Sequence, residues 1–94
     1  MKEKYIVSSL AGAKIKKLRK NEGYTVNQLA RLIDKSEQQL FRYERGVSKI
    51  DLDTIIKCLK VLKTNMTSFF DELAIEARDM AELERYRQDQ HYKY

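Results

Sequence analysis

The chain has 94 residues, a net charge of +5, no proline, three glycines and one cysteine. That size allows one small domain with a modest core, and the lack of Pro and Gly favours helices with short connections over a turn-rich β fold. No run of about 18 apolar residues is present, so no membrane-spanning helix is expected, and the single Cys58 allows no internal disulfide.

The N-terminal stretch superficially suggests a signal peptide, but its apolar part is short and breaks at Lys14, so that reading is rejected. Residues 1–8 read as a loose basic arm. Ser8 or Ser9 can cap a first helix over about 9–21, with Leu10, Ala11, Ile15 and Leu18 on one stripe. Gly23 suits the left-handed residue that closes it. Thr25 and Gln28 fit a capping box that opens a second helix over about 26–33, with Leu29, Ala30 and Ile33 inward. Asp34 and Lys35 make a two-residue break, and Asp tolerates the left-handed conformation better than most. Ser36 and Gln39 fit another capping box, opening a third helix over about 37–45 that Gly46 ends. Residues 47–50 form a loop. Asp51 caps a fourth helix over about 52–62, with Leu52, Ile55, Ile56, Leu59 and Leu62 apolar. Asn65 caps a fifth over about 66–73, with Met66, Phe69, Phe70 and Leu73 inward. A weaker periodicity through Ala77, Met80, Ala81, Leu83 and Tyr86 extends the helix to about 86, and residues 88–94 read as frayed. The fold class is therefore all-α: five helices and a C-terminal helical extension.

Charge divides the chain in two. Residues 1–70 hold 15 Lys/Arg against 7 Asp/Glu, a balance of +8, whereas residues 71–94 hold 4 against 7, a balance of −3. A basic body suits a polyanion such as nucleic acid, and an acidic tail does not.

Two short capped helices joined by a tight turn form a candidate helix-turn-helix, whose second helix enters the major groove while the first crosses the backbone. Ile15-Lys-Lys-Leu-Arg19, Gly23-Tyr-Thr-Val-Asn-Gln-Leu-Ala30, Ser36, Arg42-Tyr-Glu-Arg-Gly46 and residues 52–70 stand in register. In these motifs the chain resembles the Cro and phage-repressor type of helix-turn-helix domain, the xenobiotic-response-element family, over roughly residues 9–73. The resemblance implies five helices, dimeric or paired binding to operator DNA and transcriptional control. It also implies an ion pair between Arg19 and Glu44 that sets the angle of the third helix. The start of that helix and the Arg-Tyr-Glu-Arg-Gly run further resemble the enteric fimbrial and motility operon regulators of this family. The chain departs from the family at Val26, where Gln often holds a phosphate, and at Asp34 and Lys63, where Gly is frequent.

Side-chain chemistry distributes the roles. Glu37, Gln38 and Arg42 suit cytosine N4, adenine N6/N7 and guanine O6/N7 respectively. Gln39 is shared between its cap and a base or phosphate. Phe41 either touches a thymine methyl or packs on the flank of the core. Phosphate contacts are expected from Thr25, Asn27, Gln28, Ser36, Arg45, Ser48 and Lys49, near helix N-termini and the rim, with Lys14 and Lys17 in the wider basic surface. Phe69, Leu73, Ala77, Met80 and Leu83 are candidates for pairing with a second copy, since one short helix reads too few base pairs. The alternative for the tail is disorder.

Cys58 sits on an apolar stripe, and His91 is the single histidine, in the tail. Neither a zinc site nor a nucleophile–base set can be assembled from them, and there is no Gly-rich phosphate loop. The expectation is a cytoplasmic, nucleoid-associated DNA-binding transcriptional regulator, with no enzymatic activity, cofactor, metal or membrane. Two alternatives stand beside it: an antitoxin that binds its operator and, through residues 74–94, a toxin protein; and a protein-binding adaptor.

Overall fold

The computed structural model describes residues 5–92, with the side chains of residues 82–84 and 86–92 outside that description. Five helices follow one another: α1 (Ile6–Asn21), α2 (Val26–Leu32), α3 (Glu37–Glu44), α4 (Leu52–Val61) and α5 (Met66–Tyr92). Among the described residues there is no strand, and no helix is long and apolar enough to cross a membrane.

Local rules explain the segmentation. Thr25, Ser36 and Asp51 side chains accept from the backbone N–H three residues on, at Gln28, Gln39 and Thr54, and Asn65 Oδ1 accepts from Ser68 N at 2.8 Å. Each satisfies a donor that the first helical turn leaves unpaired. The hydrogen bond from the Thr54 hydroxyl holds the Asp51 carboxyl below its usual pKa, against a smaller opposing effect of burial. Four helices end in one geometry, in which a left-handed residue follows the cap and two backbone bonds close back on the last turn. Gly23, Asp34, Gly46 and Lys63 occupy that position, with φ of 81°, 61°, 76° and 54°. The paired bonds are Gly23 N→Lys20 O with Tyr24 N→Arg19 O, and equivalents at Asp34–Lys35, Gly46–Val47 and Lys63–Thr64.

The core is continuous. Ala11 and Ile15 of α1, Leu29 and Ala30 of α2, Ile33, Leu40 of α3, Cys58 and Leu59 of α4, and Phe69 of α5 are all nearly inaccessible. Helix α1 packs against α3, α4 and α5, and α2 packs against α3 and α4. Gly12 lies where α1 crosses α3, and a methyl group there would overlap the Tyr43 carbonyl. Desolvation in the core, with smaller contributions from the Glu44 and Asp51 charges, pushes the Cys58 thiol up to about 12.

Several boundaries differ from the sequence expectation. Helix α1 starts at Ile6 with Tyr5 at its cap, so residues 6–8 belong to the helix and not to an arm. Neither Ser8 nor Ser9 caps it. The Ser8 hydroxyl instead accepts from Ile50 N at 2.7 Å, tying α1 to the loop before α4. Tertiary contact has claimed a side chain that local rules would assign to capping. Leu52 is 70% exposed, since as the first residue of α4 it lies off the buried stripe. At its far end α5 continues to Tyr92, past the expected end near residue 86. Alternation of acidic and basic residues suits a solvated helix even where apolar periodicity fades.

Candidate nucleic-acid interface

The buried face of α3 holds Leu40, Tyr43 and Glu44, while Glu37, Gln38, Phe41 and Arg42 are exposed on the other side. With 3.6 residues per turn, positions 37, 38, 41 and 42 share one face. The helix is held by its underside. Arg19 Nε donates to Glu44 Oε2 at 2.7 Å and Arg19 Nη2 to Glu44 Oε1 at 3.0 Å. Arg19 Nη1 donates to the Tyr24 carbonyl at 2.9 Å. Both residues are only 6% exposed. A forked, desolvated pair of this kind restricts orientation as well as distance, and it links the end of α1, the entry to α2 and the end of α3.

Arg42 lies exposed one turn beyond Gln38, and its Nε donates to the Ser48 hydroxyl at 2.9 Å. A guanidinium has five N–H donors in a fixed fork, so the two terminal nitrogens stay available for a forked contact. Ser48, expected at a phosphate, thus orients Arg42. Asn27, also expected at a phosphate, donates from Nδ2 to Glu37 Oε1 at 3.3 Å across the turn between α2 and α3. Glu37 keeps its second oxygen as an acceptor. The Thr25 and Gln28 side chains cap α2 reciprocally. At Ser36 half of the expected box is present: Ser36 Oγ accepts from Gln39 N, and no return bond from the Gln39 side chain accompanies it. The Gln39 amide is therefore not held by capping.

The Arg45 guanidinium stands 5.3 Å from the centre of the Phe41 ring, and the Lys49 ammonium 5.6 Å from that of Tyr5. Phe41 is 48% exposed, so it is not a core residue. Together with Val26, Glu37 and Gln38 it lines an open groove between the start of α2 and the start of α3.

The Helix-turn-helix family profile matches residues 15–69. The chain belongs to the helix-turn-helix family, of the Cro and phage-repressor type. An uncharacterized HTH-type transcriptional regulator of Rickettsia conorii is 34% identical over 67 residues, covering 71% of this chain and 54% of that protein. Its counterpart in Rickettsia prowazekii is likewise 34% identical over 67 residues, covering 71% and 52%. A putative HTH-type transcriptional regulatory protein of Pyrococcus abyssi is 31% identical over 85 residues, covering 79% and 26%. The chain thus spans about half the length of its rickettsial relatives. The crystal structure of the clp gene regulator ClgR from Corynebacterium glutamicum superposes with a TM-score of 0.71 at 19% identity, covering 94% of both chains. At that identity the likeness concerns the fold alone.

Away from the helix-turn-helix unit, Lys14 is drawn out of the expected basic surface. Its Nζ contacts Glu72 Oε1 at 2.7 Å and Glu76 Oε2 at 3.3 Å, fastening α5 to α1. Burial pulls the Lys14 pKa down, but the hydrogen bonds and charges of the two glutamates outweigh it and the net shift is upward. Phe69 and Leu73, expected to pair with a second copy, are 2% and 6% exposed in the domain's own core and offer almost no surface to a partner. Ala77 is half-buried and Met80 38% exposed, beside an exposed Ile75. The Leu83 side chain lies outside the described residues. Sequence reasoning missed Gly12, although a glycine inside a helical pattern signals close backbone approach. It also missed the groove beside Val26, which joins residues from two helices and has no signature in either.

Proposed function

We propose that the chain is a sequence-specific double-stranded DNA-binding transcriptional regulator that acts as a dimer on operator DNA, with α3 in the major groove. The observation that carries this reading is the exposed face of α3. Four side chains suited to base edges stand on it, while the opposite face is held by the buried Arg19–Glu44 fork. Glu37, Gln38, Arg42 and Phe41 read bases, with Gln39 beside them. Thr25, Gln28, Ser36, Arg45 and Lys49 contact phosphates, while Asn27 and Ser48 act by orienting Glu37 and Arg42. Such a protein works in the cytoplasm, at the nucleoid.

Arg42→Ala should weaken cognate binding by about 1–3 kcal/mol and relax one base position. Ser48→Ala should cost less, because it loosens Arg42 without removing it. If Arg42→Ala leaves both affinity and sequence preference unchanged, α3 is not the reading helix. Steep loss of affinity with rising salt is expected throughout.

The dimer would form through α5 beyond the core, where Ile75, Ala77 and Met80 offer apolar surface. A second reading, an antitoxin whose toxin docks on the same stretch, draws support from the length of α5 past Leu73 and its acidic balance. Light scattering of the full chain and of Met80→Glu separates them. Loss of the dimer in the variant supports self-pairing, and an unchanged monomer leaves the surface to another protein.

A further inference from the structure

The groove between α2 and α3 combines apolar walls with a polar rim. Val26 and Phe41 form the walls, and Glu37 and Gln38 line the same groove. Val26 is half-buried and packs against the core, so its position is defined. Phe41 leaves 48% of its surface in water on a face otherwise made of Glu, Gln and Arg. We propose that this groove seats the C5-methyl group of a pyrimidine in the DNA major groove, which makes Val26 and Phe41 specificity-determining residues.

The inference rests on α3 being the reading helix. In the major groove the C5-methyl is the apolar group that a base edge presents, and side chains recognise it by apolar contact. The rim supplies the partner chemistry. Glu37 Oε1 accepts from Asn27 Nδ2, which leaves Oε2 to accept from cytosine N4, and C5 is the ring atom next to C4. Gln38 suits adenine, whose thymine partner carries its methyl across the same base pair. Either pairing sets a C5-methyl beside a base that Glu37 or Gln38 holds. The methyl has two sources, thymine and 5-methylcytosine.

The test begins by enriching a preferred duplex from a random library with the full chain. Kd is then measured with each thymine replaced singly by deoxyuridine, and each cytosine by 5-methylcytosine. Covering one methyl is worth about fourfold in affinity. The expected result is a position where uracil weakens binding about fourfold, assigning thymine, or where 5-methylcytosine strengthens it about fourfold, assigning the methylated base. That effect should disappear in Val26→Ala and Phe41→Ala and survive in part in Phe41→Leu, with circular dichroism showing that all three fold. If every replacement changes Kd by less than about twofold, or the effect persists in both alanine variants, the inference is overturned while the reading of α3 stands. If no sequence is enriched, sequence-specific reading fails and the inference falls with it.

Discussion

Glu44 is 6% exposed, and removing Arg19 takes away both protein donors to its carboxylate. The Tyr24 carbonyl loses its contact from Arg19 Nη1 as well. Hydrogen bonds to charged groups are each worth about 1.5–3 kcal/mol, and breaking one side of a buried pair costs about 3–5 kcal/mol. A 94-residue domain has a total stability of about 5–14 kcal/mol, so Arg19→Met alone should remove at least about a fifth of it and, at the low end of that range, most of it. Glu44→Leu should cost a similar amount by stranding the guanidinium. The double variant Arg19→Met/Glu44→Leu strands neither charge, and its cost should fall to about 0–2 kcal/mol. The coupling between the sites should then be about 4 kcal/mol or more. Urea denaturation followed by circular dichroism reads all four proteins. With a slope of about 1.5 kcal/mol per molar urea, each single variant should lower the midpoint by about 2 M or more. Burial also makes the loss nearly independent of salt, unlike that of a surface pair. If either single substitution costs less than about 1 kcal/mol, or the double variant costs the sum of the two, the fork does not hold α3 in place.

Gly12→Ala gains about 1 kcal/mol of helix propensity, but its methyl meets the Tyr43 carbonyl, a backbone atom that cannot swing away. The net cost should be about 2 kcal/mol, seen as a Tm lower by roughly 10 °C in a thermal melt. Lys63→Gly should raise Tm by roughly 3–6 °C, because it relieves about 1–2 kcal/mol of left-handed strain at φ 54° against the added freedom of an unfolded glycine. Asp34→Gly should gain less, since Asp tolerates φ 61° better. Cys58, with its thiol pushed up to about 12 from an ordinary 9.0, should resist iodoacetamide at pH 8 in the native protein and react on unfolding. The folded state holds this proton more tightly than the unfolded one, so the thiol's contribution to stability is complete below about pH 9. It declines as pH rises from there towards 12. Urea midpoints measured across that range should fall less steeply in Cys58→Ala.

Much of the fold was legible because its signals are local. Thr25, Ser36, Asp51 and Asn65 announce helix starts whatever surrounds them, and Gly23 and Gly46 announce stops. Two other stops were marked by the break at Asp34 and the family position at Lys63. Apolar stripes separated the buried face of α3 from its polar face, which is why the exposed Glu37, Gln38 and Arg42 could be named in advance, whereas Phe41 stayed open between core and surface until the fold exposed it. The errors share a different cause. Ser8 and Ser9 both stand as cap candidates in the sequence, which cannot show that the helix starts earlier at Ile6 or that Ile50, in a distant loop, claims the Ser8 hydroxyl. Phe69 and Leu73 read both as inward residues and as candidates for a partner, because a helical apolar stripe looks the same whether it faces its own core or another chain; the core claims them.

By itself the sequence determined the number of helices, most of their ends, the inner face of each and the side chains available for reading. These follow from backbone hydrogen bonding and periodicity within a few residues. Tertiary structure decided how those side chains are held. Arg19 meets Glu44, Asn27 meets Glu37, Ser48 meets Arg42, and Val26 faces Phe41 across a groove. Three of these pairings join different helices, so their distances depend on how closely α1, α2 and α3 pack, whereas the Ser48–Arg42 contact depends on how the loop after Gly46 folds back on α3. That packing is a property of the assembled core, which no local pattern encodes.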